Sequence, residues 1–558
     1  MGSTDISLLP TRACHNCRKR RWKCDKSLPV CHKCLSAGTE CLGYGKLFVW
    51  NHGVASRGKM MGKSFSEVTS MPVSKKEGQA QCDVVRDGSK AVQKRVGEPE
   101  NVDKELDDTP QDTIDPPRPE AQPLTLHRPL TDPLLKDLTP NSRYYLFHFA
   151  TQLCADMVTY DGPGQNPIRD LIPATSAHPL LLQIIVANSA FHVFNISRDP
   201  MSQSAYQQSQ KPCLVAYYQA VSRFGGDGPL KSSYHDALIA KQHALSLLAR
   251  GVAAVNVENI DLILVSILLF INYDLIESGK DKWKVHMEGA RKLIDLLGTP
   301  AFMQHPMSKL RQCILSDFLV FSILGSTFTF SSSPRLIPSS IDLSPILAYA
   351  ETNNYLSCPS PLLRIMLESF SLPCKPTPSS SDISAEVQKQ VATLLQAALL
   401  FDPIEWSLNF QPASPFEDLE QRVRIASAHR SAVCIYLARV LPCNNPLLDA
   451  GSGSALVSLT GLAEDIVHHI SYIQPGDTMF KSISWPLFLA GAECEDPAQR
   501  EWIMNTLDAF YDVMYWGYIN TVKKVLEAIW NCKAKAAAGA DNCWVDDVKE
   551  MGTEILIA

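Results

Sequence analysis

The sequence predicts a three-part fold: a small cysteine-rich module at the N-terminus, a disordered linker and a large all-α domain. Six of the 17 cysteines fall between Cys14 and Cys41, and nine prolines fall between Pro99 and Pro140. From about Asn141, apolar residues recur at intervals of three and four. A length of 558 residues sets a prior of two or three domains, and 45% apolar with 20% charged residues supplies a sizeable core. Those figures exclude wholesale disorder, collagen and coiled-coil rods. The net charge of −6 is unevenly placed. Residues 1–96 carry 18 Lys/Arg against 7 Asp/Glu, which leaves −17 for residues 97–558. A basic head on an acidic body suits a nucleic-acid reader with a separate regulatory or interaction domain.

The module, residues 11–42, is defined by Cys14, Cys17, Cys24, Cys31, Cys34 and Cys41, spaced C-x2-C-x6-C-x6-C-x2-C-x6-C. The second half repeats the first with a shift of 17 residues, down to Cys-His-Asn-Cys at 14–17 and Cys-His-Lys-Cys at 31–34. Two residues between thiols suit a turn at a helix start, where both sulfurs reach one zinc at about 2.3 Å. Two tetrahedral zinc ions need eight coordination positions, so six thiolates suffice when two of them bridge. The internal symmetry makes Cys14 and Cys31 the bridging pair. So short a segment has little apolar surface, and metal binding is expected to supply most of its folding free energy. A disulfide framework would need an oxidising compartment. Met1 to Pro10 shows no secretory signal. His15 and His32 stand beside thiols that already complete the count and are read as exposed neighbours.

The run Cys17-Arg-Lys-Arg-Arg-Trp-Lys-Cys-Asp25, with Pro29 in the middle loop, resembles the fungal binuclear zinc cluster transcription factors. The resemblance implies two Zn2+ ions per chain, with Cys14 and Cys31 bridging. Cys17 and Cys24 then complete one site, and Cys34 and Cys41 the other. It also implies a double-stranded DNA partner carrying CGG-type elements, read from the positions of Arg20 and Arg21. The guanidinium fork matches the O6 and N7 acceptors of guanine. The family more often has Lys where Arg21 stands, which changes the donor geometry. Arg18, Lys19, Lys23 and Lys26 are candidates for phosphate contacts, which add salt-dependent affinity without sequence choice. Read alone, the basic run would suit a nuclear-import signal or a solvated face. Trp22 is read as packing. The coiled coil that dimerises many relatives is missing, because residues 43–140 sustain no heptads. A homodimer or heterodimer through the helical body and a monomer are all open.

The linker, residues 43–140, lacks helical periodicity. Glu98 to Glu120 holds nine acids against two bases. Proline at this density blocks helix and sheet ladders, and the low apolar content cannot offset chain entropy. The acidic stretch is read as a solvated tether, with an activation segment as the other reading.

The body, residues 141–558, is expected to be all-helical. One apolar face is Trp283, His286, Met287, Ala290, Leu293, Ile294 and Leu297. Others are Leu456, Leu459, Leu462, Ala463, Ile466, Val467 and Ile470; Ile503, Leu507, Phe510 and Met514; and Val522, Leu526 and Ile529. Loops are expected at Ser331–Pro338, Pro373–Ser381 and Gly451–Ser454, and a turn at Gly225–Gly228. The most apolar stretches, Leu180 to Ile196 and Leu262 to Tyr273, fall short of the roughly 20 clean residues of a spanning helix. They are expected in the core, with no membrane partner. The eleven cysteines from Cys82 to Cys543 are expected to be reduced and buried. Pro486 fits the first turn of a helix, Gly491 a close helix contact, and His286 a core position rather than a catalytic one.

Leu268 to Glu277, Trp485 to Glu493 and the linker start Gly43 to Trp50 resemble the second type of fungal-specific transcription factor domain, found in the acriflavine sensitivity regulators. The resemblance implies a nuclear regulator of RNA polymerase II transcription that contacts the transcription machinery, often controlling a secondary-metabolite cluster or a catabolic pathway. The alternative is a zinc-stabilised protein-interaction module of a co-regulator that does not read DNA itself. No nucleophile elbow, zinc-protease helix, phosphate loop or dinucleotide fingerprint is present, so no enzyme is expected.

Overall fold

The computed structural model describes most of residues 13–41 and 137–558; outside it lie chiefly 42–136, 199–232, 329–335, 373–384, 449–456 and 536–542. Nearly all of the expected linker lies outside the described residues. So do Pro29, Gly43 to Trp50, the turn at Gly225–Gly228, and the loops at Pro373–Ser381 and Gly451–Ser454. The chain divides into two units, Met1–Glu120 and Ala121–Ala558.

The described part of the first unit holds two short helices, α1 (His15–Arg20) and α2 (His32–Ser36). Its interior is made of sulfur: Cys14, Cys17, Cys31 and Cys34 are fully buried, with Trp22, Cys24 and Cys41 packed against them.

The second unit is all helix around one apolar core, and its described residues contain isolated β-bridges but no strand. Its first helix, α3 (Pro140–His148), begins at the last proline that composition assigned to the linker. The Thr139 hydroxyl accepts from the Ser142 N–H at 3.1 Å. Pro140 sits at the first helical position, where its missing N–H costs nothing. After short helical turns at Phe149–Leu153, Cys154–Asp156, Pro167–Asp170 and Ile172–Ser176 come α4 (Pro179–Arg198), α5 (Ser233–Ala253) and α6 (Ile260–Glu277), with α5 and α6 both packed on α4. By length and composition α4 could cross a membrane, further than its sequence suggested, yet it is a core helix here. Its polar side chains are spent inside the body. Asn188 donates to the Leu269 carbonyl at 3.0 Å and Asn195 to that of Ile276 at 2.8 Å. His192 pairs with His148 at 2.8 Å.

The chain continues through α7 (Trp283–Leu297), α8 (Lys309–Gly325), α9 (Ser344–Thr352), α10 (Ser360–Ser369), α11 (Ala385–Leu400) and α12 (Pro403–Asn409). It ends with α13 (Leu419–Ala438), α14 (Leu459–Ile470), α15 (Ser484–Glu493), α16 (Pro497–Met514), α17 (Tyr518–Lys535) and α18 (Trp544–Glu550). The periodic faces mark the buried sides. Trp283, Ala290, Leu293, Ile294 and Leu297 are buried on α7, and Ala463, Ile466 and Ile470 on α14. Ile503, Leu507, Phe510 and Met514 are buried on α16, and Val522, Leu526 and Ile529 on α17. Leu456 lies outside the described residues.

Two sequence details find their cause in packing. Pro486 falls in the first turn of α15. A Cβ on Gly491 would stand 2.9 Å from a methyl of Leu526, so α15 and α17 meet closely here and a larger residue would require that leucine to shift. His286 stacks on Phe270, with ring centroids 5.0 Å apart and planes at 15°. Burial, helped by nearby Lys241, pulls its pKa down to about 4, so it is neutral. Cys154, Cys313, Cys358, Cys434, Cys494 and Cys543 are buried free thiols, and Cys532 is half-buried.

Candidate metal centre and nucleic-acid interface

The repeat seen in the sequence returns as a repeat of hydrogen bonds. Cys14 Sγ accepts from the Cys17 N–H at 3.4 Å, and Cys31 Sγ from the Cys34 N–H at 3.3 Å. The carbonyls of Cys14 and Cys31 accept from Arg18 and Leu35. Those of Cys17 and Cys34 accept from Trp22 and Thr39 at 2.8 and 3.0 Å. Each pair is 17 residues apart, so both halves fold the same way, with the leading cysteine capping a short helix.

This fold gathers the sulfurs into two groups of four. Cys14, Cys17, Cys24 and Cys31 form one, and Cys14, Cys31, Cys34 and Cys41 the other. Within each group the ligand atoms lie within 4.8 Å of one another, and the groups share Cys14 and Cys31. Cys14 and Cys31 Sγ are 3.6 Å apart, and Cys17 and Cys31 Sγ 3.7 Å. A zinc–sulfur bond of about 2.3 Å makes the edge of a tetrahedron about 3.8 Å, so the donor set fits zinc. Cys17 and Cys34 Sγ, one from each group, are also only 3.9 Å apart, so the six sulfurs make one compact knot. Burial pushes the Cys14, Cys31 and Cys34 thiols above their ordinary range, which means that zinc must displace protons as it binds.

Asp25, the one acid between residues 11 and 34, ties the halves together. Its carboxylate accepts from the N–H of His32 at 3.0 Å and of Lys33 at 3.2 Å, and also from the Ser27 hydroxyl. A residue of the first half thus caps the helix of the second. The hydrogen bond from Ser27 and those from the two amides hold its carboxyl well below the usual carboxylate range. Sequence spacing did not single out this role, because the capped helix starts seven residues downstream. The lone negative charge in a basic run was the available signal.

The cations lie where the run placed them. Arg18, Lys19 and Arg20 are exposed on α1, Arg21 is its left-handed C-cap with φ 55°, and Lys23 is exposed beyond it. Lys26 is half-buried and also has positive φ, 62°. The Arg20 guanidinium lies over the Trp22 ring, 4.9 Å from its centroid.

Comparison with known proteins agrees with this geometry. The model of the fungal Zn(2)-Cys(6) binuclear cluster domain matches residues 12–48, and that of the fungal specific transcription factor domain matches residues 144–558. The chain belongs to the fungal-specific transcription factor family. This transcription factor is 31% identical over 606 aligned residues to acriflavine sensitivity control protein acr-2 of Neurospora crassa, covering 98% of this chain and 97% of the relative. No solved structure matches it. The factor is a DNA-binding transcription regulator and not an enzyme, and its cluster binds two zinc ions.

Proposed function

We propose that this transcription factor reads CGG-type elements in duplex DNA through Arg20 and Arg21, with Arg18, Lys19, Lys23 and Lys26 on the phosphates. Cys14 and Cys31, common to both groups of four, would serve both zinc ions. Cys17 and Cys24 complete one site, and Cys34 and Cys41 the other. The observation that carries this reading is the placement of exposed cations on α1 and its cap, directly on the six-sulfur knot. The zinc ions supply a rigid, redox-inert crosslink, and the chain's own residues make every contact with DNA. A short helix held this way presents its basic end to a major groove, where each bidentate arginine–guanine contact discriminates by about 1–3 kcal/mol.

The factor acts in the nucleus, where members of the family generally work, on genes transcribed by RNA polymerase II. Its helical body carries regulation and contacts to the transcription machinery or to a second copy. The name of the relative makes acriflavine sensitivity the first phenotype to score in a deletion strain. A secondary-metabolite cluster or a catabolic pathway is the target class to seek among the changed transcripts.

Binding of the full chain to a CGG-bearing duplex is expected to weaken with salt, and to fall about tenfold or more in Arg20→Ala or Arg21→Ala while two zincs are retained. Unchanged affinity in both variants would leave the cluster as a protein-contact module.

A further inference from the structure

We propose that Trp22 is a positioning residue for DNA recognition, holding Arg20 from the first cysteine repeat and Lys33 from the second against one indole ring. This rests on the DNA-reading function proposed above and adds the residue that orders the reading side chains.

Arg20 Cζ lies 4.9 Å from the Trp22 ring centroid and Lys33 Nζ 5.9 Å from it. Both fall within the range of about 6 Å over which a ring quadrupole attracts a cation. The indole is itself held. It is half-buried against the sulfur knot, and its backbone N–H donates to the Cys17 carbonyl at 2.8 Å. Arg20 and Lys33 are exposed, with many rotamers to lose on binding. A fixed ring beside both chains removes part of that loss in advance. A guanidinium over a ring keeps its in-plane N–H donors available for a base edge. The ammonium serves as a point charge for a phosphate.

Trp22 has no aromatic counterpart in the second half. Thr39 holds the matching place 17 residues on, and its N–H makes the matching bond to Cys34. The backbone role therefore needs no aromatic. The ring is present in one half only and is approached by a cation from each. Lys33 is placed independently, because its N–H donates to Asp25 at 3.2 Å.

The test uses the full chain with Trp22→Leu and Trp22→Phe, each made with Arg20 present and with Arg20→Ala. Zinc content is measured, together with affinity for a CGG-bearing duplex and for one with the triplet scrambled. Trp22→Leu is expected to keep two zincs and lose about fivefold in affinity for the CGG duplex when Arg20 is present. With Arg20→Ala the loss should shrink to about twofold, the share due to Lys33. Trp22→Phe, which keeps a ring, should recover most of the loss. Equal losses in both backgrounds, equal losses for Leu and Phe, or no loss at all would each overturn the proposal. Should Trp22→Leu shed zinc, the comparison passes to Trp22→Phe, whose smaller loss must again depend on Arg20. An unaltered chain that binds both duplexes alike would instead sink the proposed CGG reading.

Discussion

Asp317 sits on α8 with 4% of its surface exposed, and its Oδ1 accepts from Asn354 Nδ2 at 2.6 Å. Burial raises its carboxyl to about 8, and the single hydrogen bond only partly opposes that rise. An unfolded aspartate ionises near 4. The folded chain therefore holds an extra proton between about pH 4 and 8. The stability this confers is whole below about pH 4 and is lost as pH rises through 8. Asp317→Asn keeps the acceptor and removes the titration, so its melting temperature relative to the unaltered chain should climb from pH 5 to pH 8. A constant offset across that range would show that Asp317 does not titrate as described. At this scale the sequence was most legible where chemistry is local: six cysteines and a basic run identify themselves. Asp25 and Asp317 did not, because a cap to another half and a buried carboxyl depend on neighbours remote in sequence.

Among the helices, periodicity marked the buried face of α7, α14, α16 and α17, because a 3.6-residue turn fixes which side chains share a side. It did not say which helix covers that face. Gly325, at the end of α8, shows what decides this: a Cβ there would lie 2.3 Å from the ring of Trp283 on α7. An indole cannot swing aside as a flexible chain end can. Gly325→Ala is expected to destabilise the body by about 1–3 kcal/mol, read as a lower urea midpoint with an unchanged slope. A midpoint equal to that of the unaltered chain would mean that the two helices can separate freely. Helix starts were less legible than faces. Pro140 reads as linker by composition and as the first residue of α3 by structure, because proline is unfavourable inside a helix but suited to its first turn.

For the whole molecule, the two units are stabilised by different physics. The first has a sulfur interior that needs metal, while the second has an extended apolar core crossed by buried ion pairs. Arg439 pairs with Glu493, which also accepts from Trp544 Nε1 at 2.7 Å. Arg422 pairs with Glu417, and both side chains are almost wholly buried. Chelation of zinc should therefore abolish the proposed recognition of the CGG duplex and leave far-UV helicity nearly intact, since α1 and α2 contribute only 6 and 5 helical residues. Loss of the helical signal on chelation would show that the body also depends on metal.

The sequence by itself determined the metal, the ligand count, the basic run and the helical class of the body. Each of these follows from spacing along the chain, which maps directly onto turns of a helix or ligands of an ion. Tertiary structure alone decided that Asp25 caps the other half, that one indole is approached by cations from both halves, that Asp317 is buried, and that Gly325 admits the ring of Trp283. Those facts depend on through-space distances between residues far apart in the chain, and these are set only when the elements pack.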